Sequence, residues 1–129
     1  MKLYLDADIF LALIKEEDRH KKPAINFLRN NTNKLLTSNL TCLEIWFYLY
    51  RNNLKNIVLD SIRAVNAIAE IIYFSKEDLE SAIVLATQFK LSPADAIHAV
   101  LALKFDYIVS SDTSFDHVKG LKRIDFLKN

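Results

Sequence analysis

The sequence predicts a three-layer α/β/α fold, with helices on both faces of a mostly parallel sheet of about five strands. Short apolar segments of β-type composition alternate along the chain with longer segments of helical periodicity. Strands that are separated by helices pair through right-handed crossovers, so this alternation favours a parallel sheet. With 129 residues, of which 51% are hydrophobic, we expect a single domain spanning residues 1–129.

Two strands and four helices are predicted in the first half of the chain. Pro23 fits the first turn of the second helix, because an amide hydrogen would be unpaired there in any case. Ser38 or Asn39 can cap the third helix, and apolar residues at helical spacing identify the fourth. The mixed charge run at residues 16–22 is expected to be a solvated loop and helix start. The predicted elements are strands at 3–5 and 34–37 and helices at 8–15, 20–30, 39–52 and 54–69.

Three strands and two helices are predicted in the second half. Ser75 and Asp78 have the spacing of a capping box, in which each side chain bonds the backbone of the other residue. The Ser92-Pro93 pair is typical of a helix start and opens the next helix. The predicted elements are strands at 71–74, 107–110 and 122–125 and helices at 75–90 and 92–104.

Composition excludes several classes of protein. Gly120 is the single glycine, so the glycine-rich loops that bind nucleotide phosphates are absent. Cys42 is the single cysteine and cannot form an internal disulfide, which favours a reducing compartment. No run of 18 uncharged apolar residues occurs, so we expect a cytoplasmic protein without a membrane partner.

Six acidic residues lie just after a predicted strand or near the start of a predicted helix. They are Asp6, Asp8, Glu44, Asp95, Asp112 and Asp116. Ligands of parallel sheets bind beyond the carboxyl ends of the strands, so four separated segments can bring these acids to one edge. Each acid also has a structural explanation as a cap or turn residue. Without these six, 17 basic residues face ten acids, an excess of +7 that suits binding of a polyanion beside a cation site.

Converging carboxylates without matching lysines or arginines repel one another, and they are stable only with a divalent cation or with raised pKa values. Oxygen ligands of this kind suit Mg²⁺ or Mn²⁺. A few carboxylates around Mg²⁺ are the usual arrangement for phosphodiester chemistry, in which the metal activates water and stabilises the leaving oxygen. His98 shares a helix face with Asp95, and we expect it in the core or in support of this site rather than on the metal.

Four motifs that carry these acids resemble the signatures of the PIN domain family. The resemblance extends from about residue 3 to residue 127, and the length and layout are similar to VapC-type ribonuclease toxins of toxin–antitoxin pairs. The motifs are Leu5-Asp6-Ala7-Asp8-Ile9-Phe10, Glu44-Ile45, Ser92-Pro93-Ala94-Asp95-Ala96-Ile97-His98-Ala99 and Ser110-Ser111-Asp112-Thr113-Ser114-Phe115-Asp116.

The resemblance implies a PIN-like fold and a metal-dependent endoribonuclease that uses Mg²⁺, with Mn²⁺ as a substitute. It implies an RNA substrate, a cognate antitoxin and a homodimer. The metal-binding acids of the catalytic site would be Asp6, Glu44, Asp95 and Asp112. Asp116 would be an accessory acid, and Ser110 would support the site by hydrogen bonding. Asp8 stands where the family more often has asparagine, and it could join the metal site or only cap the first helix.

The apolar run of residues 45–50 surrounds more than one helical turn, where an amphipathic helix would show a polar side. Two explanations remain open at this point. The helix is either buried on both sides within the monomer or presents a surface to a partner such as an antitoxin or a second copy.

Two other functions compete with the nuclease hypothesis, and a third, a receiver domain, fits the length but not the residues. A HAD-type phosphatase would use Asp6 as nucleophile and Asp8 as general acid/base, but it would leave Glu44 and Asp95 without a role, and the chain is short for that family. A non-cleaving PIN-like module would bind RNA or a partner only. A receiver domain would need an aspartate at the end of the third strand, where residues 73–75 are Tyr-Phe-Ser.

Overall fold

A five-stranded sheet organises the protein, whose computed structural model describes residues 1–15 and 19–128. Every strand pair in the described part of the chain is parallel, and the strand order is β3-β2-β1-β4-β5. The strands are β1 (Lys2–Leu5), β2 (Lys34–Ser38), β3 (Glu70–Ile72), β4 (Tyr107–Val109) and β5 (Arg123–Ile124).

Helices cover both faces of the sheet, which confirms the predicted three-layer α/β/α fold. The helices are α1 (Ala7–Ile14), α2 (Lys21–Asn30), α3 (Asn39–Arg51), α4 (Val58–Ile68), α5 (Lys76–Phe89) and α6 (Pro93–Ala102). Side chains of a strand alternate between faces, so Leu3 and Leu5 join the core beneath α1 to α4, whereas Tyr4 joins the core beneath α5 and α6. No helix among the described residues has both the length and the apolar character needed to cross a membrane.

Strand β1 lies at the centre of the sheet, between β2 and β4. Leu3 is in register with Leu35 on one side, and Leu5 is in register with Val109 on the other. Helix α1 begins directly after β1, because the Asp6 side chain accepts a hydrogen bond from the Ala7 backbone nitrogen and caps the helix. This cap leaves an acidic residue at the carboxyl edge of the sheet.

The structure corrects several predicted details. The predicted helix at 54–69 begins as a 3₁₀ turn (Lys55–Ile57) before α4, because Asn53 has a positive φ of 58° that ends α3. The segment after β4 forms an unpredicted 3₁₀ helix (Thr113–His117). Asp6, not Asp8, caps α1. Within the charge run at 16–22, residues 16–18 lie outside the described residues, and α2 begins at Lys21.

The predicted capping box at the start of α5 is confirmed, and it also fastens α5 to α6. The Ser75 hydroxyl accepts from the Asp78 backbone nitrogen at 3.1 Å, and the Asp78 carboxylate accepts from the Ser75 nitrogen at 2.9 Å. The second Asp78 oxygen lies 2.7 Å from the Lys104 ammonium just beyond the end of α6. The ion pair with Lys104 and the Ser75 hydrogen bonds lower the pKa of Asp78 below its usual value.

Replacing Asp78 by asparagine is expected to lower the free energy of unfolding at neutral pH by roughly 1–2 kcal/mol, since it removes a partly buried ion pair with Lys104 and the charge at the helix start, while the amide oxygen can still accept from Ser75. The folded-state pKa is depressed, so this stabilisation is full above about pH 4 and disappears as pH falls through the lower folded value. Urea unfolding at pH 7 and pH 3 measures the difference. Glu77→Gln, in the same helical turn but exposed, is the matched control. An Asp78→Asn defect that is equally large at both pH values would contradict this account.

Candidate active site

Acidic side chains from four segments meet at the carboxyl edge of the sheet. We call the five that influence one another the acid cluster, and they are Asp6, Asp8, Glu44, Asp95 and Asp112. The first two follow β1, the last follows β4, and the others lie in the early turns of α3 and α6. Because β1 and β4 are parallel neighbours, their ends deliver acids to the same place.

Ser110 connects the two central strands within the cluster. Its hydroxyl donates to Asp6 Oδ2 at 2.8 Å and lies 3.3 Å from Asp8 Oδ2. The same hydroxyl accepts from the Asp112 backbone nitrogen at 3.0 Å. Ser110 is fully buried, so these bonds hold the ends of β1 and β4 in a fixed relation. The supporting role that the resemblance implies for Ser110 stays a prediction, and these hydrogen bonds are what it would depend on.

Asp8 lies beside Asp6 in an environment that disfavours its charge. Its Oδ2 accepts from the Ser111 backbone nitrogen at 2.8 Å and from the Ser111 hydroxyl at 2.6 Å. Its Oδ1 is buried and has no hydrogen-bond partner within residues 1–15 and 19–128. Burial first, and then the neighbouring Asp6 charge, raise the pKa of Asp8 to about 6.

We expect Asp8→Asn to stabilise the metal-free protein at pH 7.5 by about 1–2 kcal/mol, because it removes a buried charge that faces another carboxylate. A carboxyl with a raised folded pKa destabilises the fold as pH rises from about 4 to 6, so the gain of the variant should vanish near pH 4. Thermal unfolding in EDTA measures this. Asp60→Asn, which removes a charge from an exposed side chain of α4, serves as the control. A lower melting temperature for Asp8→Asn at pH 7.5 would refute the prediction.

His98 lies between two acids of the cluster. Its Nε2 forms a hydrogen bond with Glu44 Oε1 and lies 3.5 Å from Asp6 Oδ1. Burial by itself would lower the pKa of His98, but the Glu44 hydrogen bond and the charges of Asp6, Glu44 and Asp95 together raise it. The histidine is thus buried and supports the acids, as the sequence indicated.

Asp6 is the most buried acid of the cluster, with only 7% of its surface exposed. Burial raises the pKa of Asp6, and the Glu44 charge adds to this, while His98 and Ser110 oppose it. Asp95 is half-buried, and its pKa is raised by burial and then by the Asp112 charge. The negative charges of these acids therefore repel one another, and a bound cation would reduce that repulsion.

Asp116 points to a different partner from the rest of the acids. Arg123 donates to its two carboxylate oxygens at 2.8 and 3.0 Å, and this pair lowers the pKa of Asp116. The same guanidinium donates to the Ser110 carbonyl at 3.0 Å. Asp116 thus holds Arg123, which in turn contacts the Ser110 backbone, and it does not add a free carboxylate to the acid cluster.

Sequence reasoning missed Ser111, Arg123, Tyr4 and Ser38, all of which hold pocket residues in place. Among these four residues, only Tyr4 could have been noticed in the sequence, because it carries a hydroxyl in the predicted strand at residues 3–5, whose other two residues are leucines. Thr41 and Glu44 also have the spacing of a capping box, but the Thr41 hydroxyl accepts a hydrogen bond from the Thr37 hydroxyl within the core instead.

The donor set fits a hard divalent cation, since the cluster offers carboxylate oxygens and includes the unpartnered Asp8 Oδ1. In the described ranges, no three Asp, Glu, His or Cys side chains already converge as a ligand set. His98 instead bridges Glu44 and Asp6. The residues therefore match the cation in chemistry, and their side chains would have to draw together around it.

The protein therefore combines an all-parallel α/β/α sheet with a cluster of aspartates and a glutamate at the carboxyl edge of that sheet. The chain belongs to the PIN domain family, whose model matches residues 3–121. No curated protein matches the sequence significantly.

Solved structures with the same fold share little sequence with this chain. The VapBC2 complex of Rickettsia felis, bound to a promoter DNA fragment, aligns with a TM-score of 0.75 at 18% identity over 96% of this chain and 98% of that one. VapC20 of Mycobacterium tuberculosis, a toxin that cleaves the sarcin–ricin loop, gives 0.77 at 16% identity over 91% and 95%. A toxin–antitoxin complex from Klebsiella pneumoniae gives 0.73 at 19% identity over 96% and 97%.

Proposed function

We propose that this protein, acting as a single domain, is a metal-dependent endoribonuclease that hydrolyses RNA phosphodiester bonds and serves as the cytoplasmic toxin of a toxin–antitoxin pair. The observation that carries the proposal is that acids from four segments lie near enough to influence one another at one edge of a PIN fold. That pocket has the oxygen donors for a cation but no lysine or arginine that pairs with Asp6, Asp8, Glu44, Asp95 or Asp112 among the described residues.

Each acid of the pocket has a proposed role. Asp6, Glu44, Asp95 and Asp112 would hold Mg²⁺, with Mn²⁺ as a substitute, and Asp8 would add negative charge beside them. A divalent cation bound there lowers the pKa of water and offsets charge on the leaving oxygen. Ser110 fixes Asp6 in place, and Arg123 keeps Asp116 outside the cluster.

The test is a digest of synthetic RNA by the purified protein in Mg²⁺ or Mn²⁺. Internal cleavage of RNA is expected. RNA that is bound but stays intact would favour a non-cleaving module. Phosphate release from a small phosphomonoester, with a trapped phosphoaspartyl enzyme, would favour the phosphatase hypothesis. That hypothesis still leaves Glu44 and Asp95 in the pocket without a role.

Mn²⁺ and Mg²⁺ are expected to raise the melting temperature, because a ligand that binds only the folded state stabilises it by mass action. Asp95→Asn should weaken this response without destabilising the metal-free protein. The helix-capping bond at this position uses the Asp95 backbone nitrogen and the Ser92 hydroxyl, which the substitution leaves in place. Differential scanning calorimetry with metal titration measures both effects. If Asp95→Asn responds to Mn²⁺ as strongly as the wild type does, Asp95 is not a ligand.

An apolar surface on α3 and α4 supports the proposed protein partner. Ile45 and Leu49 face the core, whereas Trp46, Phe47 and Tyr50 are exposed by 56%, 53% and 60%. The helix is therefore not buried on both sides, which rules out one of the two explanations drawn from the sequence. Exposed aromatic clusters of this kind mark protein interfaces.

Two shallow grooves adjoin these aromatic residues. The larger, of about 530 Å³, is lined by Trp46, Tyr50, Lys55, Val58, Leu59 and Ile62. We propose that an apolar segment of a cognate antitoxin binds there, which agrees with the toxin–antitoxin complexes among the structures of similar fold. A homodimer is proposed as well. Exposed Leu79 and Ile83 on α5 offer it a second apolar face.

A further inference from the structure

A chain of polar side chains runs from the core to the acid cluster through His98. The Ser38 hydroxyl lies 2.8 Å from the Tyr4 hydroxyl, which in turn lies 2.7 Å from His98 Nδ1. On its other side, His98 Nε2 reaches Glu44 and Asp6. Tyr4, Ser38 and His98 are all fully buried, so water does not compete for these bonds.

The orientation of the His98 ring follows from what surrounds its two nitrogens. Nε2 faces two carboxylate oxygens, which only accept hydrogen bonds, so it carries a hydrogen and donates. Nδ1 faces a hydroxyl, which can donate or accept. The hydrogen bond between Tyr4 and Nδ1 therefore fixes the orientation of the ring, and Nε2–H points toward Glu44.

Glu44 depends on His98 for its position more than Asp6 does. It has three side-chain torsions, its side chain is 30% exposed, and among the described residues it has no side-chain hydrogen bond besides the one with His98. Asp6, by contrast, is already held by Ser110 and by the Ala7 nitrogen. Mg²⁺ demands near-octahedral geometry, so a carboxylate free to turn toward solvent would be a poor ligand.

We propose that His98, held in place by Tyr4, is a positioning residue that aims the Glu44 carboxylate into the cation pocket. One oxygen of Glu44 is occupied by His98 Nε2–H, and the other is left for the cation. The inference rests on the proposed function, because it assumes that Glu44 is a ligand. It assigns His98 no proton transfer and no contact with RNA.

The test measures Mn²⁺ affinity without RNA, by electron paramagnetic resonance of free Mn²⁺ or by calorimetric titration. His98→Leu is expected to weaken Mn²⁺ binding about 10- to 100-fold, the usual effect of losing a residue that orients a ligand. Tyr4→Phe keeps the ring but removes the hydroxyl, so a smaller loss of roughly three- to tenfold is expected. Both affinities should fall while the folded structure persists, as circular dichroism would show.

Matched controls separate positioning from general damage to the fold. Leu101→Ala opens a cavity on the same helix, α6, and should lower stability without changing Mn²⁺ affinity. Tyr107→Phe removes a hydroxyl from the neighbouring strand, where the ring packs on the opposite face of the sheet from Tyr4. It should leave Mn²⁺ affinity unchanged.

A double-mutant cycle tests whether His98 acts through Glu44. Glu44→Gln should weaken Mn²⁺ binding, and adding His98→Leu to it should cause little further loss. If His98→Leu and Tyr4→Phe both fold and bind Mn²⁺ as tightly as the wild type or more tightly, the inference is overturned while the proposed metal site stands. If the wild type binds no Mn²⁺, the proposed metal site and this inference both fail.

Discussion

Replacing Asp6 by asparagine is expected to reduce RNA cleavage by about 10²- to 10³-fold while the protein stays folded. Asp6 is the most buried acid of the cluster and lies next to Asp8 and His98. Asparagine has nearly the same shape, and its carbonyl can still accept from the Ala7 nitrogen and cap α1. The substitution therefore removes the charge that would hold a cation and keeps the cap of α1, while the Ser110 hydroxyl must turn to accept from the new amide group.

Stability provides an internal check on this prediction. Removal of a buried carboxylate whose pKa is raised should leave the metal-free protein at least as stable as the wild type. Initial rates on a fluorescent RNA, together with melting curves in EDTA, measure both quantities. Asp60→Asn, an exposed aspartate of α4, controls for the change in net charge. An Asp6→Asn protein that folds and cleaves within about twofold of the wild-type rate would show that Asp6 takes no part in the reaction.

Removing divalent cations with EDTA is expected to abolish cleavage, and restoring Mg²⁺ or Mn²⁺ should recover it. Without a cation, the pocket presents the RNA phosphates with several carboxylates, and like charges in a half-buried site repel strongly. Ca²⁺, with its looser coordination geometry, should support binding better than catalysis. Cleavage that persists at full rate in excess EDTA would show that the reaction needs no metal, and it would leave the PIN fold unaffected.

The products of this reaction should carry 5′-phosphate and 3′-hydroxyl ends. Attack by the ribose 2′-hydroxyl usually needs a histidine that can reach the sugar. His98 is fully buried and bonded at both ring nitrogens, so it cannot serve as that base. Mass spectrometry of the fragments distinguishes the two pathways. Products ending in 2′,3′-cyclic phosphate would show attack by the 2′-hydroxyl and contradict hydrolysis by water.

Local signals in the chain were sufficient for the order and type of most secondary structure. The run at residues 3–5 is short and apolar, so it could only be a buried strand, and the Ser75–Asp78 spacing located the start of α5. Boundaries were less predictable where a backbone conformation decides them. Asn53 has a positive φ, and α3 ends just before it. The helical spacing of apolar residues in 54–69 did not predict the 3₁₀ turn that follows.

The sequence by itself determined the class of fold and which acids are candidates for the pocket. Alternating strands and helices require a parallel sheet, and the carboxyl ends of parallel strands point the same way, so acids placed after them share an edge. The sequence also indicated that His98 lies in the core or supports the site rather than binding a metal, since it shares a helix face with Asp95, and the structure shows that it is fully buried.

Only the tertiary structure decided which acids interact and what holds them. Asp116 pairs with Arg123, Asp8 is bonded by Ser111, and His98 bridges Glu44 and Asp6. Apart from Asp116 and Arg123, these partners are far apart in sequence. Their contacts depend on side-chain direction and burial, which are set by how the helices and strands pack together. Spacing along a chain carries no information about such distances, and so the sequence could name candidate acids but not the hydrogen bonds and ion pairs that hold them.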